Sequence, residues 1–115
     1  MIKFWSYKRE YSKYKKRLIK KITQSISKGT IFFGNELKKF EKDFTKKYKS
    51  KYGVAVGSGT DALLISLKSI GIKSGDEVIT AANTAIPTIS AIVNTGAVPK
   101  LVDVDDNYLI DINKI

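Results

Sequence analysis

"YGVAVGSGTDALLISLKSIGIKSGDEVIT", residues 52–80, decides the fold. A five-residue apolar run stops at Gly57-Ser58-Gly59-Thr60, and apolar residues then resume at helical spacing. This predicts a buried strand over 52–56, a small polar loop, and a helix over Thr60–Ile70 closed by Gly71. "GDEVIT" follows as a turn with a short second strand. Pro87 suits the first position of a helix "PTISAIVNT" closed by Gly96, and Lys100–Val104 read as a third strand. Strands separated by single helices imply parallel pairing. The expected class is α/β, with N-terminal helices followed by a parallel βαβαβ unit.

Working outward, Tyr11, Tyr14, Leu18, Ile22 and Ile26 recur at spacings of three and four, with Gly29 where a helix would end. After "GTIFFG", Asn35 is a candidate N-cap, and Leu37, Phe40, Phe44 and Tyr48 lay a second apolar stripe. The aromatics on both stripes read as core anchors rather than base-stacking platforms. Two segments result: 1–51, basic and helical, and 52–115, an incomplete α/β domain.

Composition narrows the chemistry. Cysteine and histidine are absent from the 115 residues, which excludes thiolate catalysis, disulfides, Cys/His zinc sites and imidazole acid–base work. No metal site is expected. No apolar run approaches a membrane span and no signal-peptide core precedes Tyr14, so a cytoplasmic protein is expected. Residues 1–51 hold 17 Lys/Arg against 4 Asp/Glu, net +13, and residues 52–115 hold 4 against 7, net −3. The basicity therefore belongs to the N-terminal segment. It reads first as a solvated lysine face and second as a phosphate-binding surface.

The loop lies where an open α/β sheet binds ligands, at the carboxyl end of a predicted strand. Glycines at 57 and 59 admit a ligand close to the main chain, and Ser58 and Thr60 carry hydroxyls. Unpaired N–H groups and the positive end of the helix dipole suit a phosphate. Ordinary helix capping explains the same residues. Asp61 repels a dianion unless its side chain is turned away. Gly57-x-Gly59-x-x-Ala62 also fits a dinucleotide fingerprint. The ribose-binding acid, however, belongs at the end of the second strand, whereas Asp76 and Glu77 precede it.

Taken together, "FFGNELKKFEKDF", "YGVAVGSGTDALLISLKSIGIKSGDEVIT", "ANTAIPTISAI" and "TGAVPKLVDVD" resemble the N-terminal part of the DegT/DnrJ/StrS nucleotide-sugar aminotransferases. The resemblance runs from about Tyr7 to Ile115 and rests on the order and spacing of these segments. It implies a pyridoxal 5′-phosphate enzyme of fold type I, homodimeric at full length, in which residues 52–115 form part of the large domain. Such an enzyme moves an amino group, normally from glutamate, onto a nucleotide-linked keto sugar in deoxyaminosugar or surface-polysaccharide biosynthesis. "NTAIPT" is similar to members that act on sugars attached to thymidine diphosphate.

Residue by residue, the resemblance implies that Ser58, Gly59, Thr60 and Asp61 receive the cofactor phosphate. Ala85 stands where many members place an aromatic ring against the pyridine, so contact with the ring would come from Ala85 and Pro87 by van der Waals packing. Asn83 and Thr84 are candidates for the sugar pocket. The lysine that links the cofactor and the aspartate at its ring nitrogen belong to later segments, and none of the 21 Lys/Arg matches that lysine's motif. No catalytic residue is assigned, and the 115-residue chain alone is expected to be inactive, as the beginning of a larger protein. The alternatives left open are a catalytically inactive remnant and a basic regulatory or nucleic-acid-binding protein.

Overall fold

The computed structural model describes residues 4–29 and 31–115. Thr30, within the expected interhelical connection, and residues 1–3 of the basic segment lie outside the described residues. The chain divides into two compact units, the first ending at Ala55 and the second spanning Val56–Ile115.

In the first unit, α1 (Tyr7–Ser27) follows the predicted Tyr11–Ile26 stripe. It closes where Gly29, at φ 65°, donates its N–H to the Ile26 carbonyl, a left-handed C-terminal geometry that glycine adopts without a Cβ penalty. Helix α2 (Asn35–Tyr48) begins one residue earlier than expected, because Gly34 is its N-cap and Asn35 its first helical residue. Lys49 ends it in the left-handed region, with its N–H on the Thr45 carbonyl. An exposed Lys21–Glu36 ion pair at 3.4 Å links the two helices, a contact that contributes little in water. Lysines 13, 15, 47 and 51 lie over tyrosine rings next to them or one turn away.

The expected burial of both stripes is not observed. Neither helix has a buried residue, and Tyr11, Tyr14, Leu18, Ile22, Ile26, Phe40, Phe44 and Tyr48 are all exposed. The helical periodicity predicted the faces correctly, but among the described residues no element covers them. Phe40, Phe44 and Tyr48 instead form an aromatic ladder with centroid separations of 6.0 and 4.5 Å.

A further correction concerns 52–56, the predicted first strand. It forms no strand, and Val54 keeps 81 % of its surface exposed. A strand needs a neighbour to accept its N–H groups. The two strands among the described residues pair with each other, and the Ala55 N–H goes to the Glu41 carboxylate at 2.8 Å.

The second unit runs α3 (Gly59–Ser69), β1 (Glu77–Ala81), α4 (Ile86–Val93), β2 (Val98–Val102) and a 3₁₀ turn at Ile112–Lys114. β1 and β2 are parallel, in register from Glu77 opposite Val98 to Ala81 opposite Val102. This is one βαβ unit rather than the expected βαβαβ, and β2 begins two residues before the predicted Lys100. Helix α4 begins at Ile86 and places Pro87 second, within the first turn where its missing N–H costs nothing. Helix α4 packs against α3 and β2. The core is small, with Ala91, Ile92 and Ala97 at 0, 2 and 5 % exposure. Burying one isoleucine contributes about 1.5–3 kcal/mol. No helix among the described residues is long and apolar enough to cross a membrane.

Gly53 shows how closely the extended segment approaches α2. A Cβ there would stand 2.8 Å from Thr45 Cγ2. Gly53→Ala is expected to destabilise the first unit by about 1–3 kcal/mol in urea unfolding, and adding Thr45→Ser, which deletes that methyl, should recover part of the loss. A Gly53→Ala chain as stable as the parent would contradict this packing.

Candidate functional site

Helix α3 starts directly from the Gly57–Ser58 turn, and its first i to i−4 bond runs from the Ala62 N–H to the Ser58 carbonyl. The N–H groups of Gly59, Thr60 and Asp61 are therefore left outside the helical ladder. Ser58 is the N-cap, and its Oγ accepts from the Asp61 N–H at 3.1 Å. The same hydroxyl donates to Asp61 Oδ2 at 2.9 Å. Two of the expected phosphate donors, the Ser58 hydroxyl and the Asp61 N–H, are thus engaged with each other's residue.

What remains open is narrower than the sequence suggested. The N–H groups of Gly59 and Thr60, together with the Thr60 hydroxyl, have no hydrogen-bond partner among the described residues. Space above Gly59 is free, since a Cβ built there meets no atom within 4 Å. The Asp61 carboxylate is folded back over Gly57, where a Cβ would meet Oδ2 at 2.9 Å. That places the negative charge on the Gly57 side, joined to Ser58, and leaves donors at the helix start. The donor set and open space fit a phosphate group.

The second group of candidates follows β1. Ala82 prolongs the sheet by donating to the Val102 carbonyl at 2.8 Å. The Asn83 side-chain amide donates to the Tyr108 carbonyl at 3.2 Å, and Thr84 Oγ1 lies 2.8 Å from Thr88 Oγ1. Ala85 is the N-cap of α4 and makes no side-chain cap bond. Thr84 also lines an open groove of about 400 Å³ with Ile86, Ile89, Ser90, Val93 and Asn94. Among the described residues no hydrogen bond joins this group to Ser58–Asp61.

Tyr108 sits at φ 61° in a turn held by Asp105, whose Oδ1 accepts from the N–H groups of Asn107 and Leu109. The Leu109 bond is the largest influence on Asp105 and holds its carboxyl below the usual aspartate value. Asp103 is lowered by the Val104 N–H first and by Lys114 next. Lys114 in turn is raised, chiefly by its hydrogen bond to Asp103. This turn was not singled out from the sequence. Its signal was the pair Asp103 and Asp105, whose carboxylates accept main-chain N–H groups here. No group of acidic side chains among the described residues is arranged to hold a metal ion.

Comparison with known proteins gives these positions a context. A model of the DegT/DnrJ/EryC1/StrS aminotransferase family matches residues 12–115. The chain is 35% identical over 108 residues to a dTDP-3-amino-3,4,6-trideoxy-alpha-D-glucose transaminase of Micromonospora megalomicea subsp. nigra, covering 93% of this chain and 29% of that protein. Its fold is similar to a DegT/DnrJ/EryC1/StrS aminotransferase from Brucella abortus, with a TM-score of 0.90 and 28% identity over 98% of this chain and 31% of that one. It is also similar to NtdA from Bacillus subtilis, solved with bound cofactor PMP, with a TM-score of 0.81 and 36% identity over 84% of this chain and 22% of that one. The chain spans less than a third of the length of these relatives.

Ser58→Ala removes the acceptor for the Asp61 N–H and should cost about 1 kcal/mol of stability in urea unfolding, with faster exchange of the Asp61 amide. Unchanged exchange at Asp61 would show that the cap bond is not formed.

Proposed function

The chain belongs to the DegT/DnrJ/EryC1/StrS aminotransferase family, whose cofactor is pyridoxal 5′-phosphate, and from that premise we propose that the start of α3 holds the cofactor phosphate. The observation that carries this reading is the pair of unbonded N–H groups on Gly59 and Thr60, with open space beside Gly59. Thr60 Oγ adds a third donor. Ser58 and Asp61 serve the site from within: their mutual bonds hold the turn and keep the Asp61 carboxylate off the dianion. When bound, pyridoxal phosphate supplies the electron sink that lets an amino group leave one carbon skeleton and join another.

Ala85, at the start of α4, is proposed to meet the cofactor ring by van der Waals contact. Asn83 and Thr84 are proposed to border the sugar. Asn83 does so while fixing the Tyr108 turn, so its amide has a structural duty as well. The whole enzyme is proposed to carry glutamate's amino group to a keto-deoxysugar on thymidine diphosphate, in deoxyaminosugar or surface-polysaccharide synthesis in the cytoplasm. The relative from Micromonospora supports that substrate class. A homodimer is the proposed assembly, and the uncovered stripes of α1 and α2 support it, since large exposed apolar faces mark interaction surfaces. Within this arrangement residues 57–61 bind and orient, and no lysine of the chain is assigned to proton movement.

Pyridoxamine 5′-phosphate is the suitable probe, because its amine does not condense with the chain's many lysines. Equilibrium dialysis against pyridoxamine should show the phosphate form binding at least about 100-fold more tightly, as expected for three bonds to a charged acceptor. The chain alone should yield no amino sugar from glutamate and a thymidine-diphosphate keto sugar. Equal affinity for the two amines would overturn the phosphate cradle, and product formation would overturn the division of labour.

A further inference from the structure

Helix α2 carries three partly buried residues at spacings of four, Leu37, Glu41 and Thr45. These share one ridge of the helix. A carboxylate there loses hydration and must be compensated by a bond. Lys38, Lys42 and Lys46 stand on the same helix, yet Glu41 Oε1 accepts the main-chain N–H of Ala55 at 2.8 Å. Gly53 allows that approach, because any Cβ would collide with Thr45 Cγ2. The segment from Tyr52 to Ala55 belongs to no sheet, and this bond and this close approach tie it to α2.

Ala55 lies two residues before Gly57, where the phosphate turn begins. We propose that Glu41 is a positioning residue for the cofactor-phosphate loop, fixing the entry to Gly57–Asp61 by holding the Ala55 N–H. This rests on the phosphate reading of the loop. A loop whose entry is already fixed loses less freedom when a ligand orders it, and so binds more tightly. The role requires an acceptor oxygen at full glutamate reach and does not require its charge.

Three variants of the full chain separate these requirements. Glu41→Gln keeps an acceptor at the same reach, Glu41→Asp keeps the charge one methylene short, and Glu41→Ala removes both. Each is read by amide exchange at Ala55 and by the dissociation constant for pyridoxamine 5′-phosphate. Glu41→Gln should stay within about two-fold of the parent. Glu41→Asp and Glu41→Ala should exchange the Ala55 amide at least about ten-fold faster and bind about ten-fold more weakly. A folded Glu41→Ala chain with parental affinity overturns the proposal. Should that variant fail to fold, equal affinity of Glu41→Asp and Glu41→Gln overturns it instead. A parent chain that does not distinguish pyridoxamine 5′-phosphate from pyridoxamine overturns the phosphate cradle, and Glu41's role with it. A parent that distinguishes them while Glu41→Asp does so equally overturns Glu41's role alone.

Discussion

A helix that begins with main-chain N–H groups bonded to nothing must find an acceptor outside itself. Helix α3 is in that condition at Gly59 and Thr60, and the arrangement of the loop follows from it. A Cβ at Gly59 would meet no atom within 4 Å, so the space beside that residue is open. Ser58 satisfies the third free N–H, that of Asp61, and takes the Asp61 carboxylate as its own acceptor. The helix dipole and the unspent donors then act in the same direction, toward an anion.

Holding those donors in place falls to a modest amount of packing. Helix α4 packs against α3 and β2, and the buried side chains among the described residues are Ala91, Ile92 and Ala97. Small residues there let the elements approach closely but bury limited apolar area. The Lys21–Glu36, Lys100–Glu77 and Lys114–Asp103 ion pairs are exposed on both sides and add little. Side-chain bonds to main-chain groups therefore matter more than usual: Glu41 to Ala55, Asn83 to Tyr108, Asp105 to Asn107 and Leu109. Each fixes a stretch of backbone that no sheet or helix fixes.

Periodicity made the helices legible, and Gly29, Gly71 and Gly96 marked their ends through positive φ. The loop at 57–61 was legible because glycines, hydroxyls and a helix start coincide there. Three features were not. The apolar run Tyr52–Val56 has strand composition, but pairing is a relation between segments and no local pattern supplies the partner. The stripes of α1 and α2 show which face is apolar without showing what covers it. Glu41 looked like one more charge on a basic helix. A single acid on the ridge of Leu37 and Thr45 was the available clue, and its meaning depends on Gly53 and Ala55 fourteen or fewer residues away.

The most direct measurement is a ¹⁵N–¹H correlation spectrum of the labelled chain as pyridoxamine 5′-phosphate is added. The largest shifts should fall on the Gly59 and Thr60 amides, with a smaller one at Asp61, whose N–H stays on the Ser58 hydroxyl. Shifts confined to the lysine-rich helices or to Asn83–Ala85, with Gly59 and Thr60 unmoved, would contradict the central claim.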